Sequence, residues 1–512
     1  MLDLTIGALL QRACRLYPGK TAVCFQEQTQ SFEAFGQDVC RYRRAMRDKG
    51  IRPGDRVAVL SRNHPGVLKA MFACALDGIV VVPINFRLAA REMAFVLKDS
   101  GSALLWVDEF FVPIAQEAAH LAELAPHQLE SLDAPLALNA QAEDGLDHTP
   151  LIKSDDLFGI FYTSGTTGNP KGVMLTHGNM MAGVLNHTMG YGLGPADVCL
   201  HVMPLYHTME ASLAFCQFFV GGNNVIVQNF DAAGFWPMVD RHRITHVTAV
   251  FTMLIGMLEN PPAASGSSGT SLHTISLGGQ AVPAEVLAKA VEQLGEDRLI
   301  QVYGLTEAAP LLTYLPREDV RVADTQRHKL QSVGKDFFLT ETRIVDDEGK
   351  AVPQGELGEI IARGPNVMRG YWQRPDETAN TLRDGWLHTG DIGRYDEERY
   401  LYVIDRKKDL IISGGENISP REVEEVIFRH PKIRECSVFG IPDAQWGEAV
   451  GVALSTYEPM TEDELISFCS AELARYKLPR RVWFLDALPR DPVGKIQKRV
   501  LRSQLSDSMK NT

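Results

Sequence analysis

The chain has 512 residues, 45% of them hydrophobic and 22% charged, with 43 glycines and 27 prolines spread along its length. At roughly 100–200 residues per domain this is material for about three or four compact units, and the composition excludes fibrous and disordered classes. A net charge of −13 excludes a protein whose main task is to hold nucleic acid, because that task needs a positive surface.

The eight cysteines (Cys14, Cys24, Cys40, Cys74, Cys199, Cys216, Cys436 and Cys469) include no C-x-x-C pair, so reduced, buried thiols are expected rather than a zinc site or a disulfide framework. The longest apolar run, "HVTAVFTMLIGML", falls short of the roughly 18–20 residues that span a bilayer. The start, "MLDLTIGALLQRACRLYPGK", lacks a basic segment ahead of a long apolar one. The expectation is a cytoplasmic protein without stable membrane insertion, a monomer or homodimer.

In chain order, "DRVAVL" reads as a buried strand, "HPGVLKAMFACAL" as an amphipathic helix and "GIVVVPI" as the next strand, together a βαβ unit of a parallel α/β layer. The stretch "FYTSGTTGNPKGVMLTHGN" then sets Thr163, Ser164, Thr166 and Thr167 among Gly165, Gly168 and Gly172, with Lys171 close behind. Glycines let backbone N–H groups turn inward, hydroxyls add rotating donors and the lysine adds a point charge, so the loop suits phosphate. It is not a Walker loop: counting from Gly165 puts Pro170 where the second glycine belongs and Gly172 where the magnesium-binding hydroxyl belongs.

A second βαβ unit runs from "HTISL" through "GGQ" and the helix "VPAEVLAKAVEQL" to "RLIQVY". Ligands on such sheets sit beyond the carboxyl ends of strands, where "GGQA" and "GLTE" both lie, so these are candidate walls of one site. The Pro/Gly/Ser-rich "NPPAASGSSGTS" reads as a surface loop.

From Asp405 onward 17 basic residues balance 17 acidic ones, so the whole acidic surplus precedes that point, as expected for a domain boundary. The tail has its own α/β pattern. Ser419-Pro420-Arg421-Glu422 opens the helix "VEEVIFRH" as a capping box, "RECSVFGI" and "VGVALSTY" read as strands, a second box at Thr461–Glu464 opens "LISFCSAEL", and "RVWFLDAL" closes the unit.

The hydroxyl-rich stretch, "YGLTE", "GELGEIIARGPNVMRGYW", "DGWLHTGD", "DRKKDLIISGGENISPREVE" and "PRDPVGKIQKR", in that order, resemble the signature motifs of the adenylate-forming enzymes over about residues 5 to 503. That superfamily holds acyl-CoA synthetases, peptide-synthetase adenylation domains and firefly luciferase, and this chain is most similar to a single-chain bacterial acyl-CoA ligase. The resemblance implies an α/β fold with a large N-terminal domain of layered subdomains (residues 1–404) and a small, mobile C-terminal α+β domain (residues 405–512). It implies a ligase in which a carboxylate attacks the α-phosphorus of ATP to give an acyl adenylate and pyrophosphate, after which a nucleophile displaces AMP.

ATP and Mg²⁺ are the implied cofactors, with CoA as second substrate. Thr163, Ser164, Gly165, Thr166, Thr167, Gly168 and Lys171 would face the β- and γ-phosphates, with Thr163 also near the reacting centre. Glu307 would hold Mg²⁺, since that ion takes one or two carboxylates plus ligand oxygens; read alone it is a surface N-cap acid. Gly279, Gln280 and Ala281 with Tyr303 and Gly304 would form the adenine slot, and Thr306 would also bind the cofactor. Asp391 would accept from the ribose hydroxyls with Arg406 nearby, and otherwise reads as a turn aspartate.

Lys495 would bridge the carboxylate and the α-phosphate, although a lysine near a chain end is by itself usually just solvated. Asp405 matches the hinge about which the small domain turns, so that Gly414, Gly415 and Glu416 line a tunnel for the second nucleophile. The 17 residues after Lys495 are expected to leave no room for a carrier domain.

Tyr206 and His207 match the gate beside the carboxylate, with His207 either catalytic or structural. The segment after the gate offers Glu210 and no aspartate, which favours a non-amino acid. Phe251 stands where acyl-CoA ligases usually carry proline, so it either narrows the acid pocket or packs; the usual "GxPxPG" turn is absent from "SVGKDFFLTETRIVD". Alternatives within the enzymes are a coronafacate-ligase-type amide synthetase and an acyl-AMP ligase loading a separate carrier protein. From another class comes an inactive homologue acting as a scaffold, against which intact Lys171, Glu307, Asp391 and Lys495 argue.

Overall fold

The computed structural model describes residues 4–125, 128–138, 145–146, 151–163, 170–280, 282–323, 326–407, 409–414, 416–443, 445–490 and 496–509. These form a seven-stranded, a nine-stranded and two five-stranded sheets.

The seven-stranded sheet contains β1 (Arg56–Leu60), β2 (Val80–Ile84) and β3 (Leu157–Thr163), mutually parallel, with β4 (Lys171–Thr176) antiparallel to β3. β1 and β2 are joined by helix α1 (Pro65–Asp77), started by the His64 side chain accepting from the Gly66 N–H with proline at the first position, and stopped by Gly78 at φ 66°. The expected amphipathic character of α1 is corrected here, since all thirteen of its residues are buried. The helix lies between the two large sheets, and its Lys69 is ion-paired with Asp38 at 2.7 Å instead of facing water.

The nine-stranded sheet carries β5 (Val198–His201), β6 (His246–Ala249), β7 (Thr274–Leu277) and β8 (Leu299–Tyr303), parallel and adjacent in that order. Helices α2 (His177–Tyr191), α3 (Thr208–Val220), α4 (Phe251–Glu259) and α5 (Ala284–Leu294) intervene along the chain. Every residue of β6 and β7 is buried, the polar Thr248, Thr274 and Ser276 included, because both faces of the sheet are covered.

A short strand β9 (Gly370–Tyr371) returns to the first sheet, antiparallel to β4. In a five-stranded sheet β10 (Trp386–Tyr395) pairs with β11 (Leu401–Arg406), Asp391 opposite Arg406. The last five-stranded sheet is built on the hairpin β12 (Ile433–Asp443) and β13 (Gly447–Thr456), longer than either strand read from the sequence, with α6 (Pro420–Ile427) against it. The closing strand is shorter than read, Arg481–Phe484.

Only half of each expected capping box forms. Ser419 and Thr461 accept from the Glu422 and Glu464 N–H groups, but those carboxylates accept from Lys477 at 2.6 Å and Lys432 at 2.8 Å. All eight cysteines are free, as expected. Among the described residues no helix is long and apolar enough to cross a membrane.

Candidate active site

The hydroxyl-rich loop leaves β3 and re-enters as β4, with Thr163 and Lys171 opposite each other across the hairpin. Lys171 opens a strand, where the lysine of a Walker loop opens a helix, which separates the two structurally. Ser164, Gly165, Thr166, Thr167 and Gly168 lie outside the described residues. Lys171 Nζ is ion-paired with Glu377 and stands 5.2 Å from the centre of the Tyr371 ring. The charge that sequence reasoning assigned to phosphate alone therefore has a protein counter-ion.

Glu307 sits in a short turn, Thr306–Ala308, just past the carboxyl end of β8. Three residues of the "GPNVMRGYW" segment hold that turn and the chain just after it. Met368 N–H donates to the Glu307 carbonyl at 2.8 Å, Asn366 Nδ2 donates to the carbonyls of Ala308 and Leu311, and the Tyr371 hydroxyl donates to Glu307 Oε1 at 2.8 Å. Burial, then the Glu307 charge, push the Tyr371 phenol well up, so it remains a donor. Because β9 pairs with β4, Tyr371 brings Glu307 to the Lys171 end of the hairpin. One carboxylate oxygen anchored by a neutral donor and the other left to a hard cation is a donor set that suits Mg²⁺.

Next to Glu307, Gly304 turns the chain back so tightly that a Cβ there would lie 1.9 Å from the Pro310 carbonyl oxygen, which excludes any other residue. Tyr303, the last residue of β8, donates its hydroxyl to Asp391 Oδ2 at 2.6 Å, and Arg406 Nε lies 3.4 Å from Asp391 Oδ1. Asp391 is buried within β10 next to Gly390, φ 72°, so it is not a solvent-facing turn aspartate. Gly279, at φ 82°, and Gln280 follow β7, the parallel neighbour of β8, so both loops leave the same sheet edge. Ala281 is outside the described residues.

Tyr206 and His207 occupy the loop between β5 and α3, again at a carboxyl end. Buried Asn63 clamps this loop, its Nδ2 donating to the His201 and Met203 carbonyls at 3.3 and 2.8 Å while Oδ1 accepts from the Leu205 N–H at 2.8 Å. Fully buried His201 bridges Glu210 (2.7 Å) and Asn224 (2.8 Å). Burial holds the Glu210 carboxyl above the usual range. The Tyr206 ring meets Phe86 edge-on at 5.4 Å, and Phe86 packs on Phe111 at 5.7 Å.

Phe251 begins α4 and is fully buried, its ring 5.8 Å from Phe428 just past α6. Nearby, Ala284 N–H donates to Glu425 and Arg434 pairs with Glu259 at 3.4 Å, so α6 rests on the start of α5 and β12 meets the end of α4. Asp405 accepts from Ser419 and the Arg421 N–H, tying the end of β11 to the start of α6. Gly414, φ 60°, lies against Trp446, and Glu416 opens a strand Glu416–Ile418; Gly415 and Lys495 are outside the described residues.

Sequence reasoning missed Asn63, Phe86, His201, Tyr371 and Glu377. Two carried a signal: Asn63 lies three residues past the end of a buried strand, and Tyr371 lies inside a motif already singled out.

The AMP-binding enzyme family model matches residues 10–372, and that of the AMP-binding enzyme C-terminal domain matches residues 422–495. A feruloyl-CoA synthase of Amycolatopsis sp is 38% identical over 501 residues, covering 97% of this chain and 98% of its own. The structure of o-succinylbenzoate CoA synthetase from Bacillus subtilis with the acyl-adenylate intermediate OSB-AMP matches with a TM-score of 0.87 and 33% identity over 99% of each chain; the same enzyme has been solved with ATP and a magnesium ion. The amide bond synthetase McbA from Marinactinospora thermotolerans matches with a TM-score of 0.88 and 29% identity, over 98% of this chain and 99% of its own. The protein is an AMP-forming acid ligase that uses ATP and Mg²⁺ to make an acyl adenylate and then an acyl-CoA thioester. On these matches the chain belongs to the AMP-binding enzyme family.

Proposed function

We propose that the acid joined to CoA is an aromatic carboxylate and that the residues gathered at the carboxyl ends of β3, β5, β7 and β8 divide the work of activating it. The observation that carries the choice of acid is the state of Glu210. It is the acidic side chain nearest the Tyr206–His207 loop in sequence, and it is fully buried and engaged by His201, so it offers no charge to the ammonium of an amino acid. The Phe86–Tyr206–Phe111 cluster provides flat apolar surface suited to a ring. Feruloyl-CoA synthase and o-succinylbenzoate CoA synthetase, both similar over nearly the whole chain, act on acids of this kind by their names.

In this reading Asp391, oriented by the Tyr303 hydroxyl, accepts from the ribose, and the backbone of Gly279 and Gly304 lets the adenine approach closely. Glu307, oriented by Tyr371, would hold the magnesium ion, whose charge would be available to offset that of the phosphates when it is bound. Thr163 and the loop that follows donate to the phosphates, and Lys171 orders the far side of the hairpin through Glu377 while adding its charge. Lys495 meets the charge built up between carboxylate and α-phosphate. Rotation of residues 405–512 about Asp405 then withdraws it and brings Gly414, Gly415 and Glu416 to the path of CoA.

A second reading, transfer of the acyl group to an amine, is favoured by the likeness to the amide bond synthetase. The test is a panel of benzoates, cinnamates, fatty acids and α-amino acids with ATP and Mg²⁺, with either CoA or amino acids as acceptor, read by mass spectrometry. The expected product is an aryl-CoA thioester. Preferential turnover of fatty or amino acids overturns the acid class, and amide without thioester overturns the acceptor.

A further inference from the structure

We propose that Asp197, His246 and His273 form a binding site for a divalent transition metal of the zinc type, separate from the magnesium that accompanies ATP. Asp197 immediately precedes β5, His246 is the first residue of β6 and His273 immediately precedes β7, so three adjacent parallel strands present them at their amino ends. The catalytic loops leave the opposite ends. From His273 to Gly279 the chain advances about six residues, roughly 20 Å at about 3.3 Å per residue, so the two metal sites do not share ligands.

The donor geometry is preorganised. The Asp197 side chain is fixed by its Oδ2, which accepts from the Gly194 N–H at 2.7 Å. Its Oδ1 lies 3.5 Å from His246 Nδ1 and 3.5 Å from His273 Nε2, and one donor from each residue falls within 4.8 Å of the others. A separation of 3.5 Å is long for an N–H···O bond, whose mode is about 2.9–3.0 Å. It is close to the edge of a coordination tetrahedron, since ligand bonds of about 2.0–2.1 Å give donor–donor separations of about 3.4 Å. The two imidazole rings meet edge-on, their centroids 4.6 Å apart and their planes at 82°.

The neighbours also fit. Thr245 Oγ1 lies 2.8 Å from His246 Nδ1 and 3.1 Å from the Val198 carbonyl; with its proton on that carbonyl it does not donate to Nδ1, and metal binding requires the hydroxyl to move aside from the Nδ1 lone pair. His246 is buried and His273 half exposed, so ions have access from one side and a fourth position remains open to water. Arg317, which donates to the His273 carbonyl and to Thr274, brings a positive charge close by and tempers the affinity. Two imidazoles and one carboxylate select zinc, cobalt or nickel over magnesium, which prefers oxygen ligands.

The test uses untagged, chelator-stripped full-length protein in excess Mg²⁺, titrated with Co²⁺ and then Zn²⁺ while the cobalt absorption spectrum and the thermal midpoint are recorded. The expected result is uptake of one Co²⁺ per chain with the intense visible bands of a low-coordinate site, displacement by one Zn²⁺, and a higher thermal midpoint with zinc. His273→Ala, at a half-exposed position, should fold normally and lose affinity by at least roughly tenfold. His273→Cys should restore binding and add a thiolate-to-cobalt band. No stoichiometric uptake by the wild-type protein, or equal affinity in His273→Ala, overturns the site.

Discussion

Tyr371→Phe isolates what one hydroxyl does for the candidate magnesium ligand. The phenol donates to Glu307 Oε1 at 2.8 Å from a nearly buried position, and its ring keeps Lys171 Nζ 5.2 Å from the centroid. Phenylalanine keeps the ring, the pairing of β9 with β4 and the lysine contact, and removes only the hydrogen bond to a charged acceptor. Such a bond contributes about 1.5–3 kcal/mol. If it is realised in positioning Glu307 for the metal–phosphate complex, that amount corresponds to about a 10- to 100-fold loss in kcat/KM, at about 1.4 kcal/mol per factor of ten. The assay is pyrophosphate release as a function of free Mg²⁺ at saturating acid. The variant should need more Mg²⁺ for half-maximal rate and recover part of its loss at high Mg²⁺. A variant with a lower thermal midpoint but an unchanged rate and Mg²⁺ requirement refutes the positioning role and reduces Tyr371 to packing.

Asp391→Asn removes the charge that Tyr303 and Arg406 face, and should raise KM for ATP about 10- to 100-fold with a smaller change in kcat; an unchanged KM separates Asp391 from the nucleotide. Stability should fall on acidification. Burial lowers His177 to about 4 and His187 to about 3 from 6.5, so the unfolded chain takes up those protons first, and their contribution is lost as pH falls from about 6.5 toward 4. Glu210 and Glu425, raised by burial, oppose this in part, because they favour the folded chain once protonated. The thermal midpoint between pH 7.5 and 5 should therefore drop, and His187→Gln should flatten the slope; equal slopes contradict the assignment. Phe251→Ala should cost about 3–5 kcal/mol of stability, as expected for emptying a buried ring site, and a broadened acid profile would add a role at the pocket that an unchanged profile denies. Lys495→Ala should abolish single-turnover formation of acyl-AMP and spare transfer of supplied acyl-AMP to CoA; equal loss of both half-reactions excludes a lysine used only for adenylation.

The parts of the site legible in the sequence are those that a short stretch of chain carries alone. The hydroxyl-rich loop, the turn after β8 and the bend before Asp391 each combine glycines with a donor or acid within a few residues, and their place at strand ends follows from strand patterning. The partners that hold them were not legible, because they come from far along the chain. Tyr371 is 64 residues from Glu307, and Asn63 is 138 from His201. A single sequence carries no signal for such pairings. The same cause misled the reading of α1. Lysine in a helix suggests a solvated face, but Lys69 is buried against Asp38, and the surface it would have needed is taken by the helix that carries Asp38. The glutamates of the two capping boxes were likewise drawn away by distant lysines.

The central claim is that a carboxylate oxygen attacks the α-phosphorus of ATP at the site framed by Tyr303, Glu307 and Asp391. It is tested most directly with an acid substrate labelled with oxygen-18 in the carboxylate, incubated with ATP, Mg²⁺ and CoA, with the products weighed by mass spectrometry. One labelled oxygen should appear in AMP for each thioester formed, with none in pyrophosphate. Label in inorganic phosphate together with ADP, or unlabelled AMP, contradicts it.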